Sequence, residues 1–367
     1  MRPGMSCLLE LLRGQDIACP IDQAKWETAL ALAEEEHVQP WVAARLRLRQ
    51  DATPPALSNC LDEIERDSAL AAFYWSSELK GVLRAFRESN VRAVLLKGPF
   101  LAERLYGSAA LRVSRDLDLL VNKADLPRAE AALSAAGFAP GMPDDYHRPW
   151  RRQSTTVELH RDVENPLAFN FHVEGALQRA QSAAFQGEPC WQLAPEDELL
   201  FLCLHAVRHR FERLSLILDL QLAFQRIPAT ADWQPRPEVA RLDNLLELGL
   251  AMVRHLDPDS AVVFDVPGTG RRSQYLEELA DRLWQRLLTQ PSEPLDWRTA
   301  HQFFLEIEPA GWPRLRRRCG HLQILASRVI EPDYVFAARL GMHRAWQARM
   351  LRPLRLLSDL LHRQASS

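Results

Sequence analysis

The chain has 367 residues and a net charge of −3, and this length predicts two or three domains of ordinary size. With 47% hydrophobic and 25% charged residues, its composition excludes intrinsic disorder and collagen-like structure. The apolar runs stop far short of the roughly 18 residues that a membrane helix needs, and the first ten residues hold no apolar signal-peptide core. We therefore expect a cytoplasmic protein without a membrane span.

Cysteine and lysine usage also narrow the possibilities. Six cysteines are scattered without a C-x-x-C pair, which argues against a zinc ribbon or a disulfide framework. Only four of the 45 basic residues are lysines, a preference for arginine that is typical of GC-rich bacterial genomes. The bias indicates a bacterial origin but no mechanism.

The first part of the chain is predicted to be helical. Apolar residues recur at helical spacing over residues 23–49 and again over residues 61–86. A short apolar run at residues 91–96 then predicts a buried strand. The turn Lys97-Gly98-Pro99 follows, and its proline suits the first turn of a helix predicted over residues 100–106.

The middle of the chain continues with strands. A second strand is predicted at residues 116–121, followed by an amphipathic helix over residues 126–136. Residues 139–145 have the composition of a loop, and residues 146–152 and 155–160 are predicted to form a hairpin.

The remainder is predicted to be almost entirely helical from residue 195 onward, over residues 196–224, 237–255, 273–289, 297–306 and 336–363. The predicted fold class is therefore α+β. A small mixed β-sheet core at residues 69–165 would lie between a helical region at residues 1–68 and a helical domain at residues 166–367.

The strongest chemical signal is a pair of aspartates on the second predicted strand. Side chains alternate along a strand, so Asp116 and Asp118 share one face. Neighbouring carboxylates repel each other unless a cation lies between them, and such oxygen ligands suit Mg²⁺ or Mn²⁺. Glu158, on the last strand of the hairpin, is the candidate third ligand. The alternative is that these are solvated acids on exposed edge strands.

Candidate phosphate-binding residues surround these acids. Lys97 and Gly98 open a helix whose N-terminus is a natural anion site. Arg112, Ser114 and Arg115 precede the aspartate strand and could bind phosphate, although surface pairing would explain the arginines equally well.

These residues resemble the bacterial family of uncharacterised nucleotidyltransferases within the DNA polymerase β-type superfamily. The matching segments are Leu96-Lys97-Gly98-Pro99-Phe100-Leu101-Ala102, Leu105-Tyr106, Arg112, Asp116-Leu117-Asp118-Leu119-Leu120-Val121 and Glu158-Leu159-His160. The resemblance implies an enzyme that transfers a nucleoside monophosphate from a nucleoside triphosphate, ATP by default, to an acceptor and releases pyrophosphate. Asp116, Asp118 and Glu158 would then be catalytic residues that hold Mg²⁺ or Mn²⁺.

One residue departs from the superfamily pattern. Pro99 stands where a serine usually binds a phosphate, and proline offers neither a hydroxyl nor an N–H. The alternative function is accordingly a non-catalytic protein that keeps the fold and binds a nucleotide or a partner. A helical interaction protein with an incidental D-x-D sequence is a further alternative.

Three histidines are candidates for lining the cleft. His160 follows Glu158 by two residues and shares its face. His205 and His209 have the spacing of zincin ligands, but Ala206 replaces the general-base glutamate of H-E-x-x-H, so the pattern argues against a metalloprotease. The alternative is that His205 and His209 only pack against or cap helices. Asp219 could orient one of the two imidazoles.

The acceptor is left open by the sequence as a small molecule, a protein side chain or an RNA end. The segment from residue 311 onward holds eleven arginines and three acidic residues, and it is the sole nucleic-acid signal in the chain. A solvated helix face would explain it equally well. The Gly268-Thr269-Gly270 sequence lacks a following Gly-Lys-Ser/Thr and is predicted to be a turn.

Overall fold

The helices and strands of this chain are seen in a computed structural model. It describes residues 1–14, 23–48, 57–143, 146–164, 171–226, 243–259 and 271–291, together with Phe303 and Ile307. These residues all belong to one unit, which covers residues 1–166 and 170–307. A second unit, residues 167–169 and 308–367, lies outside the described residues.

The described residues form eleven α-helices and seven strands. The helices are α1 (Met5–Arg13), α2 (Gln23–Glu35), α3 (Gln39–Arg47), α4 (Ser58–Glu88), α5 (Gly98–Tyr106), α6 (Leu126–Ala135), α7 (Val173–Arg179), α8 (Pro195–Arg208), α9 (Leu214–Phe224), α10 (Asp243–Leu256) and α11 (Arg271–Thr289). The strands are β1 (Ala93–Leu95), β2 (Leu117–Val121), β3 (Ala139–Pro140), β4 (His147–Arg152), β5 (Thr155–His160), β6 (Gln181–Phe185) and β7 (Glu188–Gln192).

All seven strands join one mixed sheet in the order β3-β4-β5-β2-β1-β7-β6. At its centre, β2 pairs antiparallel with β1 and parallel with β5. Hairpins β4–β5 and β6–β7 extend the sheet on the two sides. This mixed sheet with helices before and after it confirms the α+β class.

The two faces of the central strands differ in character. Leu117, Leu119 and Val157 lie in a core that also contains apolar residues of α4 and α6. Because side chains alternate with period 2, Asp118 and Glu158 lie on the opposite face. The helical core thus covers one face and leaves the acids together on the other.

A glycine turn connects β1 to α5. Gly98 has a φ of +77°, a backbone conformation that side-chain-bearing residues rarely adopt. Pro99 follows in the first turn of α5, where its missing N–H leaves no helical hydrogen bond unmade, as predicted.

Several predicted elements differ from the structure. The single helix predicted over residues 196–224 is two helices, α8 and α9, because Arg210 and Phe211 have positive φ values and break it. The predicted loop at residues 139–145 contributes the two-residue strand β3, which pairs with β4. Hairpin β6–β7 lies within the segment that was predicted to be helical, so the sheet is larger than expected.

Other predictions fall outside the described residues. They are the turn at residues 268–270, most of the helix at residues 297–306, the helix at residues 336–363 and the arginine-rich segment after residue 311. The domain boundaries after residues 68 and 165 stay predictions. Among the helices that the structure describes, none has the length and apolar character to cross a membrane.

The left-handed turn predicts the effect of one substitution. Gly98→Ala should lower the free energy of unfolding by about 1–2 kcal/mol, because an added Cβ strains this backbone conformation even though it meets nothing closer than 3.6 Å. Denaturant titration would measure the change. Gly81→Ala, at an exposed position within α4 where a Cβ meets nothing within 4 Å, is the matched control and should raise stability by about 0.5–1 kcal/mol. Equal effects at both positions would contradict this account.

Candidate active site

The three predicted carboxylates meet at two neighbouring strands. Asp118 lies in β2 directly opposite Glu158 in the parallel strand β5, and Asp116 comes just before β2. Asp118 is 2% exposed, whereas Asp116 and Glu158 are partly buried. Three acids on one sheet exclude the alternative of a helical protein with an incidental D-x-D sequence.

His160 lies between two of these acids. Its Nε2 is 3.1 Å from Asp118 Oδ1 and 3.4 Å from Glu158 Oε2. Its Nδ1 is 3.2 Å from the backbone carbonyl oxygen of Asp162. The prediction that His160 shares the face of Glu158 is thus confirmed, and the ring is buried at the centre of the cluster.

Lys97 supplies the second positive neighbour. Its Nζ lies 3.1 Å from Asp118 Oδ2, so the two oxygens of this carboxylate have different partners. Lys97 also stands at the N-cap position of α5, next to Gly98. A helix N-terminus and a lysine therefore lie beside the acids, which is the arrangement expected for binding phosphate.

A cavity of about 270 Å³ opens above the acids. It is lined by residues from the sheet, the glycine turn and helices α8 and α9: His37, Lys97, Arg112, Val113, Ser114, Arg115, Asp116, Glu158, His205, Arg208, His209, Glu212, Arg213, Ser215, Leu216 and Asp219. The lining thus combines the acids Asp116 and Glu158 with several arginines.

Arg112 lines this cavity but already has an anionic partner. Its Nε and Nη2 lie 2.9 and 2.8 Å from the carboxylate oxygens of Asp219, to which the Tyr106 hydroxyl also donates a hydrogen bond of 2.6 Å. The expected contact between Asp219 and an imidazole is not among these bonds, so that prediction was wrong. Instead, Asp219 ties α9 to α5 and to the entrance of β2.

The other two candidates before β2 also reach the cavity. Arg115 is exposed on its rim, and Ser114 lies deeper. The Ser114 hydroxyl oxygen is buried without a hydrogen-bond partner among the described residues. Both are placed where a ligand in the cavity would meet them, and their roles in phosphate binding stay predictions.

His205 and His209 lie together at the end of α8, with ring centroids 4.7 Å apart. Burial, with the charge of Lys97 adding to it, lowers the pKa of His205 well below its usual value. Burial also lowers the pKa of His209. Both rings are therefore neutral near pH 7, so they can donate or accept hydrogen bonds but add no positive charge.

Several residues that line the cavity were not predicted from the sequence, including the basic side chains of Arg208, Arg213 and His37. Arg208 is partly buried, lies over the Tyr146 ring at 5.1 Å and faces the acidic cluster. Arg213 begins α9, and His37 follows α2. Arg208 directly precedes His209 in the sequence, but periodicity alone did not show that this side chain faces the acids.

A second cavity, of about 500 Å³, adjoins the first. The two share His37 and the four residues Arg112–Arg115. Helices α2, α3 and α4 form its remaining wall, where Trp75 and Ile64 contribute apolar surface and Glu63 and Asp67 contribute charge. The two cavities are therefore neighbours, one beside the N-terminal helices and one beside the acids.

The two aspartates have opposite electrostatic environments. The charge of Asp118, with burial in addition, raises the pKa of Asp116 to about 6. Burial opposes ionisation of Asp118, but the charge of Lys97 and the His160 hydrogen bond outweigh it and hold its pKa well below the usual range. Burial is the largest influence on Glu158 and opposes its ionisation, but the His160 hydrogen bond together with the charges of His147 and His160 lowers its pKa overall.

This donor set fits a divalent cation. Asp118, Glu158 and His160 each present one ligand atom, and these atoms all lie within 4.8 Å of one another. The repulsion that raises the pKa of Asp116 is the kind that a bound cation relieves. Carboxylate oxygens are also the ligands that Mg²⁺ and Mn²⁺ prefer.

Because Asp116 and Asp118 have opposite electrostatic environments, neutralising either one in the absence of metal should change the free energy of unfolding in opposite directions. The pKa of Asp116 is higher in the folded protein than in the unfolded chain. Its negative charge therefore lowers the free energy of unfolding by the full amount above pH 6 and by nothing below about pH 4. In EDTA, Asp116→Asn should therefore raise the free energy of unfolding by about 2 kcal/mol at pH 8, with a gain that shrinks as the pH falls below 6.

Asp118→Asn is the matched control on the same strand. It should lower stability by about 3 kcal/mol at pH 8, because it leaves Lys97 and His160 without their buried anion. Urea titrations at several pH values would measure both changes. A loss of stability in both variants would contradict the electrostatic account.

Comparisons with solved structures give low overall similarity. The antibiotic-resistance factor ANT(2'')-Ia is 15% identical over 49% of this chain and 95% of its own, with a TM-score of 0.35. An antigenic nucleotidyltransferase-like protein from Paracoccidioides brasiliensis is 17% identical over 54% of this chain and 90% of its own, with a TM-score of 0.34. No conclusion about this chain rests on TM-scores this low. No curated protein matches the chain significantly.

A family model gives a stronger result. The model described as uncharacterised nucleotidyltransferase matches residues 22–256, which is more than half of the chain. The match includes the glycine turn, all three carboxylates, His160 and the α8 histidines. The chain therefore belongs to the family of uncharacterised nucleotidyltransferases and is a nucleotide-transferring enzyme.

Proposed function

We propose that the enzyme moves a nucleoside monophosphate from a nucleoside triphosphate, with ATP as the default donor, to an acceptor and releases pyrophosphate. The observation that carries this proposal is the cavity in which Asp116 and Glu158 face Lys97, Arg208 and Arg213. A triphosphate in this cavity would meet positive charge on one side. On the other side it would meet acids that need a cation.

Asp116, Asp118 and Glu158 would hold Mg²⁺ or Mn²⁺ in this proposal. When bound, the metal neutralises charge on the triphosphate and stabilises the leaving pyrophosphate. The lowered pKa values of Asp118 and Glu158 keep both carboxylates ionised at neutral pH and therefore ready to bind a cation. The raised pKa of Asp116 makes it the acid whose ionisation depends most on that cation.

The basic side chains would orient the triphosphate. Lys97 is held in place by Asp118, and Arg208 by its contact with the Tyr146 ring. Because these contacts fix the side chains in advance, little conformational entropy is lost when phosphate binds. Lys97 would thereby provide the contact that the superfamily obtains from the serine which Pro99 replaces. Glu158 could accept the proton of an acceptor hydroxyl.

The adjoining cavity of about 500 Å³ supports a small-molecule acceptor. Pockets for small ligands typically measure about 300–1,000 Å³, and this one shares residues 112–115 with the cavity beside the acids. A protein side chain or an RNA end as acceptor is less favoured, since neither needs a cavity of this depth. A cytoplasmic location and a bacterial origin remain predictions from the sequence.

Calorimetric titration tests the donor half of this proposal without knowledge of the acceptor. We expect one of the four nucleoside triphosphates to bind with Mg²⁺ or Mn²⁺ and to bind far more weakly in EDTA. The double variant Asp116→Asn/Asp118→Asn should weaken metal-dependent binding about 100-fold or more, because two of the three anionic ligands are lost.

Two controls make this test decisive. Asp259→Asn changes an exposed aspartate distant in sequence from the cavity residues and should bind like the original protein. Asp116→Asn alone is expected to fold more stably than the original, so weaker binding in this variant cannot come from unfolding. Unchanged nucleotide affinity in both site variants, or no metal-dependent binding at millimolar concentrations, would overturn the proposal.

A further inference from the structure

The two ring nitrogens of His160 have different surroundings. Nδ1 lies 3.2 Å from the Asp162 carbonyl oxygen, which can only accept a hydrogen bond. Nδ1 must therefore carry a hydrogen and donate it. Nε2 faces Asp118 and Glu158 and donates a hydrogen to Asp118 when no metal is bound, so a metal ion on Nε2 would displace that proton into solvent. A histidine that donates Nδ1–H to a carbonyl is the usual arrangement of a metal-binding imidazole.

The spacing around Nε2 matches a coordination sphere. Asp118 Oδ1 lies 3.1 Å and Glu158 Oε2 3.4 Å from this nitrogen. A metal with bonds of about 2.1 Å holds neighbouring ligand atoms about 3.0 Å apart in octahedral geometry and about 3.4 Å apart in tetrahedral geometry. The two distances from Nε2 thus match those between ligands of one ion, and the three atoms all lie within 4.8 Å of one another.

We propose that His160 Nε2 is a metal ligand, which with Asp118 and Glu158 forms a mixed nitrogen and oxygen centre that prefers Mn²⁺ to Mg²⁺. This inference rests on the proposed function and refines it, since the proposed ligand set of Asp116, Asp118 and Glu158 contains only oxygen. It assigns a chemical role to a histidine that burial and packing alone do not explain.

The preference for Mn²⁺ follows from the ligand types. Mg²⁺ is bound almost exclusively by oxygen, whereas an imidazole nitrogen favours first-row transition metals. Among the first-row transition metals, Mn²⁺ best suits the carboxylate oxygens that form the rest of the site. A site with two carboxylates and one imidazole therefore gains more from Mn²⁺ than from Mg²⁺.

The neighbours of the cluster leave these three atoms available. Lys97 engages Oδ2 of Asp118, which leaves Oδ1 toward His160. His160 is 3% exposed, so its ring is held by packing and cannot easily turn away. The stacked ring of His147, with its centroid 5.0 Å away, supports it on one side.

Pulsed electron paramagnetic resonance of the full-length protein with Mn²⁺ alone tests this inference directly. A coordinated imidazole should give a ¹⁴N modulation, and growth with ¹⁵N-histidine should change that modulation without any substitution. In calorimetry, Mn²⁺ should bind about tenfold or more tightly than Mg²⁺. His160→Gln should abolish the modulation and weaken Mn²⁺ binding about 10- to 100-fold, with a smaller effect on Mg²⁺.

His147→Gln is the matched control. Its Nε2 lies 3.7 Å from the same Glu158 oxygen, but it is not part of the cluster whose ligand atoms lie within 4.8 Å of one another. This variant should keep the ¹⁴N modulation. Loss of the modulation in His147→Gln but not in His160→Gln would show that His147 binds the metal instead of His160. That result would overturn the inference.

The remaining outcomes separate this inference from the proposed function. Tight Mn²⁺ binding without a nitrogen modulation in the original protein would show that only carboxylates bind the metal. His160 would then serve as a hydrogen-bond donor to the acids, and the proposed function would stand. Failure of the protein to bind either metal, with or without nucleotide, would overturn both. The ¹⁵N-histidine experiment keeps the test valid even if His160→Gln does not fold.

Discussion

The structure depends on the electrostatic cost of holding three carboxylates together on one face of a sheet. Parallel pairing of β2 with β5 sets Asp118 opposite Glu158, and the period of the strand adds Asp116 to the same face. Lys97 and His160 offset this cost at Asp118, whereas the pKa of Asp116 stays raised to about 6. The repulsion among the acids is thus only partly offset by their basic neighbours. The repulsion that is left favours binding of a cation at this point.

The helical parts complete the site that the sheet begins. Helix α8 carries Arg208 and two neutral histidines to the side opposite the acids, and α9 is tied to α5 through Asp219, Tyr106 and Arg112. The N-terminal helices form the wall of the adjoining 500 Å³ cavity. The sheet therefore carries the acids, while the helices form most of the remaining walls of the two cavities.

Local patterns in the sequence predicted the acidic strand, the glycine turn and the hairpin that carries Glu158. They did so because alternation and turn residues act over a few positions. The sequence did not predict that Asp219 binds Arg112, or that Arg208 faces the acids, because these contacts join residues far apart in the chain. Hairpin β6–β7 was also missed, since it forms at the far side of the sheet by pairing with β1. Helix periodicity, likewise, did not show the break between α8 and α9.

Anomalous X-ray diffraction from crystals grown with Mn²⁺ and a non-hydrolysable ATP analogue would test the central claim most directly. The account predicts an anomalous peak at bonding distance from the carboxylates of Asp118 and Glu158, with the triphosphate between that peak and Lys97. A nucleotide bound elsewhere on the protein, with no metal at these carboxylates, would contradict it.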